Sequence, residues 1–254
     1  MSSRTTCAIA LAGPDALGFA NAQFSSDLPS LGVGRWQWSA WLDPKGRVRT
    51  LLQIARLADD RLVAIPRGGD GEALAADLRR FVFRSKVKID VSAPMHVANG
   101  DAFETMHAQE RDDGTLVLGE GDASLHIGTR DDNDAWIARH IDHGYAWLPD
   151  DALNALLPPA LSMERLNAVA FNKGCFPGQE IAARLHYLGG HKRHLRIVES
   201  DTPLQEGQSL RIDGRYAGIL LMCNGFASKH WSLVVLAAQL SPPATNDSHG
   251  PQLS

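Results

Sequence analysis

The sequence predicts an α+β fold followed by a small β-barrel-like module, and three observations carry this. Short segments of period-two apolar alternation recur along the chain, separated by turns rich in Gly, Pro and Asp. A few stretches instead repeat apolar residues at helical spacing, most clearly 71–83. Beyond Gly189-Gly190 only short strand patterns remain.

Taken in order, Cys7 to Gly13 reads as a first strand. It is short for a signal-peptide core and runs straight into the turn Gly13-Pro14-Asp15. Asp15 is placed to cap a helix reaching about Phe24, with Leu17, Phe19 and Ala20 on its apolar side. Gly34 to Leu42 alternates, with Trp36, Trp38 and Ala40 on one face and Arg35, Gln37 and Ser39 on the other. Asp43-Pro44-Lys45-Gly46 makes a tight turn, and Arg47 to Leu57 returns as a second strand. The helix over 71–83 presents Leu74, Leu78, Phe81 and Val82. Strands are predicted at 86–91, 95–98, 115–118 and 124–127, and helices at 131–141 and 150–157, the latter stopped by Pro158-Pro159. After the glycine pair come strands at 195–198, 209–212, 215–222 and 231–238, then a tail from Ser241 whose composition predicts disorder.

With 254 residues, 44% of them hydrophobic, the chain is long enough to bury a sizeable core. A net charge of -4 gives no whole-chain electrostatic case for binding nucleic acid. Cys7, Cys175 and Cys223 are odd in number and form no C-x-x-C pair. This argues against a disulfide framework or a cysteine zinc site and for a reducing compartment. No run approaches the roughly 20 apolar residues needed to span a bilayer. The expectation is a soluble, cytoplasmic protein.

The most informative stretch is Phe171 to Glu180. Two glycines and a proline fix an unusual backbone path around the single thiol of Cys175. A helix starting near Gly178 would aim its positive end at the sulfur, and Lys173 adds positive charge two residues away. Both favour the reactive thiolate. The residues read equally well as a small buried hydrophobe in a tight turn.

Lys173-Gly-Cys-Phe-Pro-Gly-Gln-Glu180 resembles the K-G-C-[YF]-x-G-Q-E signature of the YgfZ family, a branch of the folate-dependent aminomethyltransferase (glycine-cleavage T-protein) superfamily. Asp15 to Asp27, with Gln23 and Asp27, resembles the family's early helix and its Q-x-x-x-D ending. Leu42 to Arg47 resembles its D-x-K-G-[RK] hairpin, Trp136 to Gly144 its W-x-x-x-x-[IL]-[ED]-x-G segment, and Gly189 to Arg193 its G-x-x-K-R. The resemblance covers most of the chain apart from the tail.

It implies two interleaved α+β domains, one from 1–50 and 130–188 carrying the cysteine motif and one from 51–129. A C-terminal β-barrel at 189–240 and a disordered tail at 241–254 complete the expected architecture, with a central channel for tetrahydrofolate or a folate derivative. The implied role is a folate-binding accessory protein that supports assembly or repair of iron–sulfur enzymes, including tRNA-modifying ones. Its expected partners are those enzymes or cluster-assembly proteins, met transiently, with no direct nucleic-acid contact and no membrane. Competing readings are a tetrahydrofolate-dependent aminomethyltransferase or demethylase, and a non-catalytic folate-regulated binding module.

On this resemblance Cys175 and Lys173 are the catalytic candidates, and Gly174, Phe176, Gly178, Gln179 and Glu180 shape the motif. Asp142 matches the position of the pterin-reading glutamate, one methylene shorter. Trp136 matches a tryptophan lining the folate site, and Asp27 matches the catalytic aspartate of the T-proteins. Their alternatives are a helix-end aspartate, a core tryptophan and a turn aspartate. Lys45 and Arg47 could face the glutamyl carboxylates of folate, although turn charges are more often simply solvated. Thr6 stands where the family can place a second tryptophan, so the first strand offers no stacking surface. His186, His191 and His194 are spaced H-x4-H-x2-H, which is no standard ligand set, and no metal site is expected.

Overall fold

The computed structural model describes residues 4–128, 134–212, 214–226 and 229–238. The predicted tail at 241–254, and the start of the helix predicted from 131, lie outside the described residues.

Three antiparallel sheets and four α-helices make up the described chain. The first sheet contains β2 (Ile9–Ala12), β3 (Arg35–Leu42), β4 (Val48–Ala58), β5 (Arg61–Pro66) and β6 (Lys88–Val91), in the order β3-β4-β5-β2-β6. The second contains β1 (Thr5–Thr6), β7 (Met95–Gly100), β8 (Ala108–Glu110), β9 (Leu116–Gly119) and β10 (Ser124–Gly128), in the order β1-β7-β10-β9-β8. The helices are α1 (Ala16–Gln23), α2 (Gly71–Arg79), α3 (Ala135–His143) and α4 (Gln179–Leu188).

Side-chain alternation sorts the first sheet between two cores. Ile9, Leu11 and Trp41 pack with Phe19 and Ala20 of α1 and Leu74 and Leu78 of α2. Trp36, Trp38, Ala40 and Leu42 face the other way, into a larger core shared with the second sheet, α3 and the C-terminal sheet. The face predicted for Trp36, Trp38 and Ala40 is the one observed.

The C-terminal residues form β11 (Arg193–Ser200), β12 (Ser209–Ile212), β13 (Arg215–Phe226) and β14 (Lys229–Ala237), in the order β11-β14-β13-β12. This corrects the expected barrel: among the described residues β11 and β12 are free edges, and the module is an open four-stranded sheet. Its inner face, with Leu233 and Val235, joins the large core, while Val234 and Leu236 face a small separate one.

Smaller differences have local causes. The Asp15 carboxylate does not cap α1; it accepts the Lys86 N–H at 2.6 Å and ties the helix start to the chain entering β6. Asp70 does cap α2, accepting from the N–H groups of Glu72 and Ala73. The helix predicted over 150–157 is a single 3-10 turn, Asp150–Ala152. Pro158 and Pro159 begin a second such turn, Pro158–Leu161, because a proline in a first helical turn loses no hydrogen bond. Among the described residues no helix is long and apolar enough to cross a membrane.

Candidate functional site

Two segments that the sequence marks separately meet in space. The signature turns through Pro177 and Gly178 into α4, and Gly178 rests on the β3–β4 hairpin. Gly178 has φ +76°, and a Cβ there would stand 2.5 Å from the Asp43 carbonyl oxygen and 2.8 Å from the Gly46 Cα. Gly46, at φ +73°, is in turn pressed against Ile181 of α4. Only glycine combines this backbone angle with this approach. Gly178→Ala is therefore expected to cost at least about 1 kcal/mol and lower Tm by about 2–4 °C, measurable by thermal denaturation.

Lys173 is held by the segment that follows α1. Its ammonium donates to the carbonyl oxygens of Phe24 and Ser26, each at 2.7 Å, and sits 5.0 Å from the Phe176 ring centroid. Burial lowers its pKa to about 8, against the opposing pull of the Asp27 carboxylate. The charge expected beside Cys175 is thus anchored to backbone on the Asp27 side. Cys175 itself is exposed, whereas Phe176 beside it is buried. Gly174 and Glu180 are exposed, and the Gln179 amide reaches the Lys173 carbonyl at 3.5 Å.

The Ser25–Asp27 backbone is woven into its neighbours. Ser25 donates to Ala168 O at 2.6 Å, Ser26 shares a hydrogen bond with Ser39 at 2.7 Å, and Gln37 donates to Asp27 O at 3.1 Å. This leaves the half-buried Asp27 side chain on the wall of a cavity of about 420 Å³, with Gln37, Asn167, Phe171, Asn172 and Tyr187. Phe171 stacks on His186 at 4.3 Å between centroids, and His186 pairs with Glu164 at 3.0 Å. His191 and His194 contact each other instead, at 4.8 Å. Among the described residues no group of three or more His, Cys, Asp or Glu is gathered to hold a metal.

Asp142 and Trp136 share a helix but not a setting. Trp136 is fully enclosed: its indole N–H donates to Val97 O at 3.1 Å, and its ring contacts His140 and Trp147. No part of the ring is exposed in this structure, where it packs in the large core. Asp142, one turn and a half along α3, is exposed. It lines a second cavity of about 360 Å³ with Ala138, Ile141, Asn224 and Trp231. The two cavities have no lining residue in common.

Beside Trp136 lies a buried ionic network that the sequence reading does not contain. Arg67, fully buried, donates to His140 Nδ1 at 2.8 Å, and His140 Nε2 meets Glu120 Oε1 at 2.8 Å. Arg139 closes it on Glu120 Oε2 at 2.6 Å and on Asn99. With Nδ1 accepting from a guanidinium, the proton of a neutral His140 is on Nε2, donating to Glu120. Burial holds His140 down, to about 4. Burial alone would raise Glu120, but His140 and Arg139 outweigh it and keep the carboxylate ionised. These residues come from the chain just after β5, from β7 and the chain just after β9, and from α3, so only the folded chain assembles them.

No family model matches the chain. It is 25% identical to the "tRNA-modifying protein YgfZ" of Sodalis glossinidius, over 92% of this chain and 83% of that one. It is 24% identical to the protein of the same name from Aliivibrio fischeri (strain MJ11), over 78% of this chain and 70% of that one. Among solved structures it resembles the glycine cleavage system aminomethyltransferase T from Bartonella henselae. That likeness has a TM-score of 0.70 at 16% identity and covers 93% of this chain and 77% of the other. The resemblance read from the signature is thereby borne out: the chain is a relative of the YgfZ proteins, built on the fold of a glycine cleavage aminomethyltransferase.

Proposed function

We propose that the chain is a cytoplasmic, folate-binding accessory protein that supports iron–sulfur enzymes, tRNA-modifying ones among them, through the thiol of Cys175. The observation that carries this reading is the build of the signature. Lys173, Phe176 and Gly178 are all fastened to neighbouring elements, and the one nucleophile among them is left exposed. A turn needed only for packing has no use for a presented thiol. Held this way, Cys175 is open to a partner's cluster or sulfur atom, for transient ligation or redox exchange.

Tetrahydrofolate fits the residues present. The cavities at Asp27 and Asp142, about 420 and 360 Å³, fall within the ~300–1,000 Å³ common for small-molecule sites. Each joins a carboxylate to aromatic and amide side chains, the chemistry a polar-edged flat ring needs. Bound there, the reduced folate would supply a carrier for a one-carbon unit or a regulatory ligand. Asp27 would orient it, and Lys173, with its pKa near 8, stands ready to hold or release a proton beside Asp27.

Folate-dependent aminomethyl transfer or demethylation is the second reading, favoured by Asp27, whose carboxylate faces its cavity with no hydrogen-bond partner among the described residues. The experiment is complementation of a strain deficient in iron–sulfur enzyme activity. Cys175→Ser is expected to abolish support while leaving folate affinity intact. Full complementation by Cys175→Ser would remove the thiol mechanism and leave a folate-regulated binding module. Turnover of methylene-tetrahydrofolate by the purified chain would instead favour the transferase.

A further inference from the structure

We propose that the outer face of α4 and the loop after it are the docking surface for the iron–sulfur protein, and that they take an acidic face of that partner around one apolar anchor, Leu188. The proposal rests on the thiol reading above and names how the partner is held. α4 is packed on one side, where Ala182 is buried and Ile181 presses on Gly46. Glu180, Arg184, Tyr187 and Leu188, spaced i, i+4, i+7 and i+8, are all exposed and form the opposite stripe. Leu188 is 76% exposed at the helix end, a costly place for an aliphatic side chain unless something covers it. The thiol is within reach of the same partner. Phe171 stacks on His186, and Cys175 follows Phe171 by four residues, at most about 14 Å of chain. A standard interface of roughly 800 Å² per partner spans both.

Charge selects the occupant. Residues 181–198 contain Arg184, Lys192, Arg193 and Arg196 and no Asp or Glu, in a chain whose net charge is -4. Among the described residues none of these four cations has an acidic partner at ion-pair distance; Arg193 lies over the Tyr216 ring at 5.4 Å instead. Glu164, which reaches α4 from a neighbouring segment, is engaged by His186, and Glu180 stands at the Cys175 end of the stripe. The end around Leu188 and Lys192 is therefore positive and unpaired. A cluster held by cysteine thiolates is itself an anionic group, so a protein presenting one is drawn to such a surface, and the attraction sets orientation and encounter rate. Leu188 argues against nucleic acid, whose bases stack on aromatic rings rather than on an aliphatic tip. A second copy is disfavoured as well, because a two-fold pair would set this cationic face against itself.

The test uses the full chain in the complementation assay described above. Leu188→Ala, and separately Arg184→Glu combined with Lys192→Glu, are each expected to lower support of iron–sulfur enzymes by at least about 10-fold. These side chains are exposed, so Tm is expected to stay at the wild-type value, as is the rate at which iodoacetamide labels Cys175 in Leu188→Ala. Leu188→p-benzoylphenylalanine, irradiated in cells, is expected to crosslink to a protein that carries an iron–sulfur cluster. Adding Arg184→Glu and Lys192→Glu should cut that product by at least about 10-fold. Full support by both sets of variants, in a strain where Cys175→Ser gives none, would overturn this surface and leave the thiol reading in place. Crosslinks only to RNA, to a second copy or to proteins without a cluster, or no crosslink at all, would overturn it too. If Cys175→Ser also complements fully, the thiol reading and this surface fall together.

Discussion

Replacing Glu120 by alanine is expected to lower the unfolding free energy by about 3–5 kcal/mol, the usual result of removing one partner from a buried ionic cluster. Among the described residues Glu120 is the only acid in its network, and without it Arg67 and Arg139 are left with like charge around a neutral imidazole. Arg67 is fully buried, and its second terminal nitrogen already has no hydrogen-bond partner among the described residues. Urea denaturation measures the loss as a lower midpoint at unchanged slope. Glu120→Gln, which keeps the shape and one acceptor, should fall between wild type and alanine. A midpoint for Glu120→Ala within experimental error of wild type would mean that water reaches the cluster.

The same network sets a pH dependence. His140 titrates near 4 in the fold, below the 6.5 of a free histidine, because burial disfavours its charged form. Between those two values the unfolded chain binds a proton that the folded chain refuses. Stability therefore falls as pH drops from about 6.5 to about 4, and it is insensitive to this group above 7. His140→Gln should flatten that part of the curve. An equal decline in the variant would assign the slope to other groups.

Trp136→Ala is the second large effect, about 3–5 kcal/mol for emptying a fully buried indole site. It also removes the hydrogen bond to Val97 O and the packing against Trp147. The loss is one of stability, read by urea denaturation. A variant that keeps wild-type stability but loses folate would return Trp136 to the ligand site.

The contrast between Trp136 and Asp142 shows how far the sequence could be read. Within α3 the buried residues are Trp136, Ile137, His140 and Ile141, a helical stripe that marks Trp136 as a core residue. Asp142 falls off that stripe, and its exposure follows. The β3–β4 hairpin and the helix after Gly178 were legible because turn residues and alternation act locally. β5 was missed because Leu62 to Ile65 is buried on both faces, so it reads as a continuous apolar run with no period. The helix predicted to Phe83 ends at Arg79, and Phe81, placed on its apolar side, is 42% exposed, so its place in the apolar pattern did not signal burial. Trp231, Asn224, Glu120 and Arg67 carried no local signal at all. Their chemistry exists only where three sheets and a helix converge, and the open C-terminal sheet shows the same limit, since strand spacing does not say whether edges close.

The order of the first sheet has a consequence for how the chain reaches this state. β2 lies between β5 and β6, so a strand at residues 9–12 is paired on one side by 61–64 and on the other by 88–91. Its first ladder waits for 61–64 and its second for 88–91, and β1, a few residues earlier, waits for β7 in the other sheet. Closing such wide loops before any contact rewards them slows folding, and in the interval an apolar strand is left with two open edges. During synthesis one edge of the Ile9–Ala12 segment stays open to other chains until about 80 further residues have emerged.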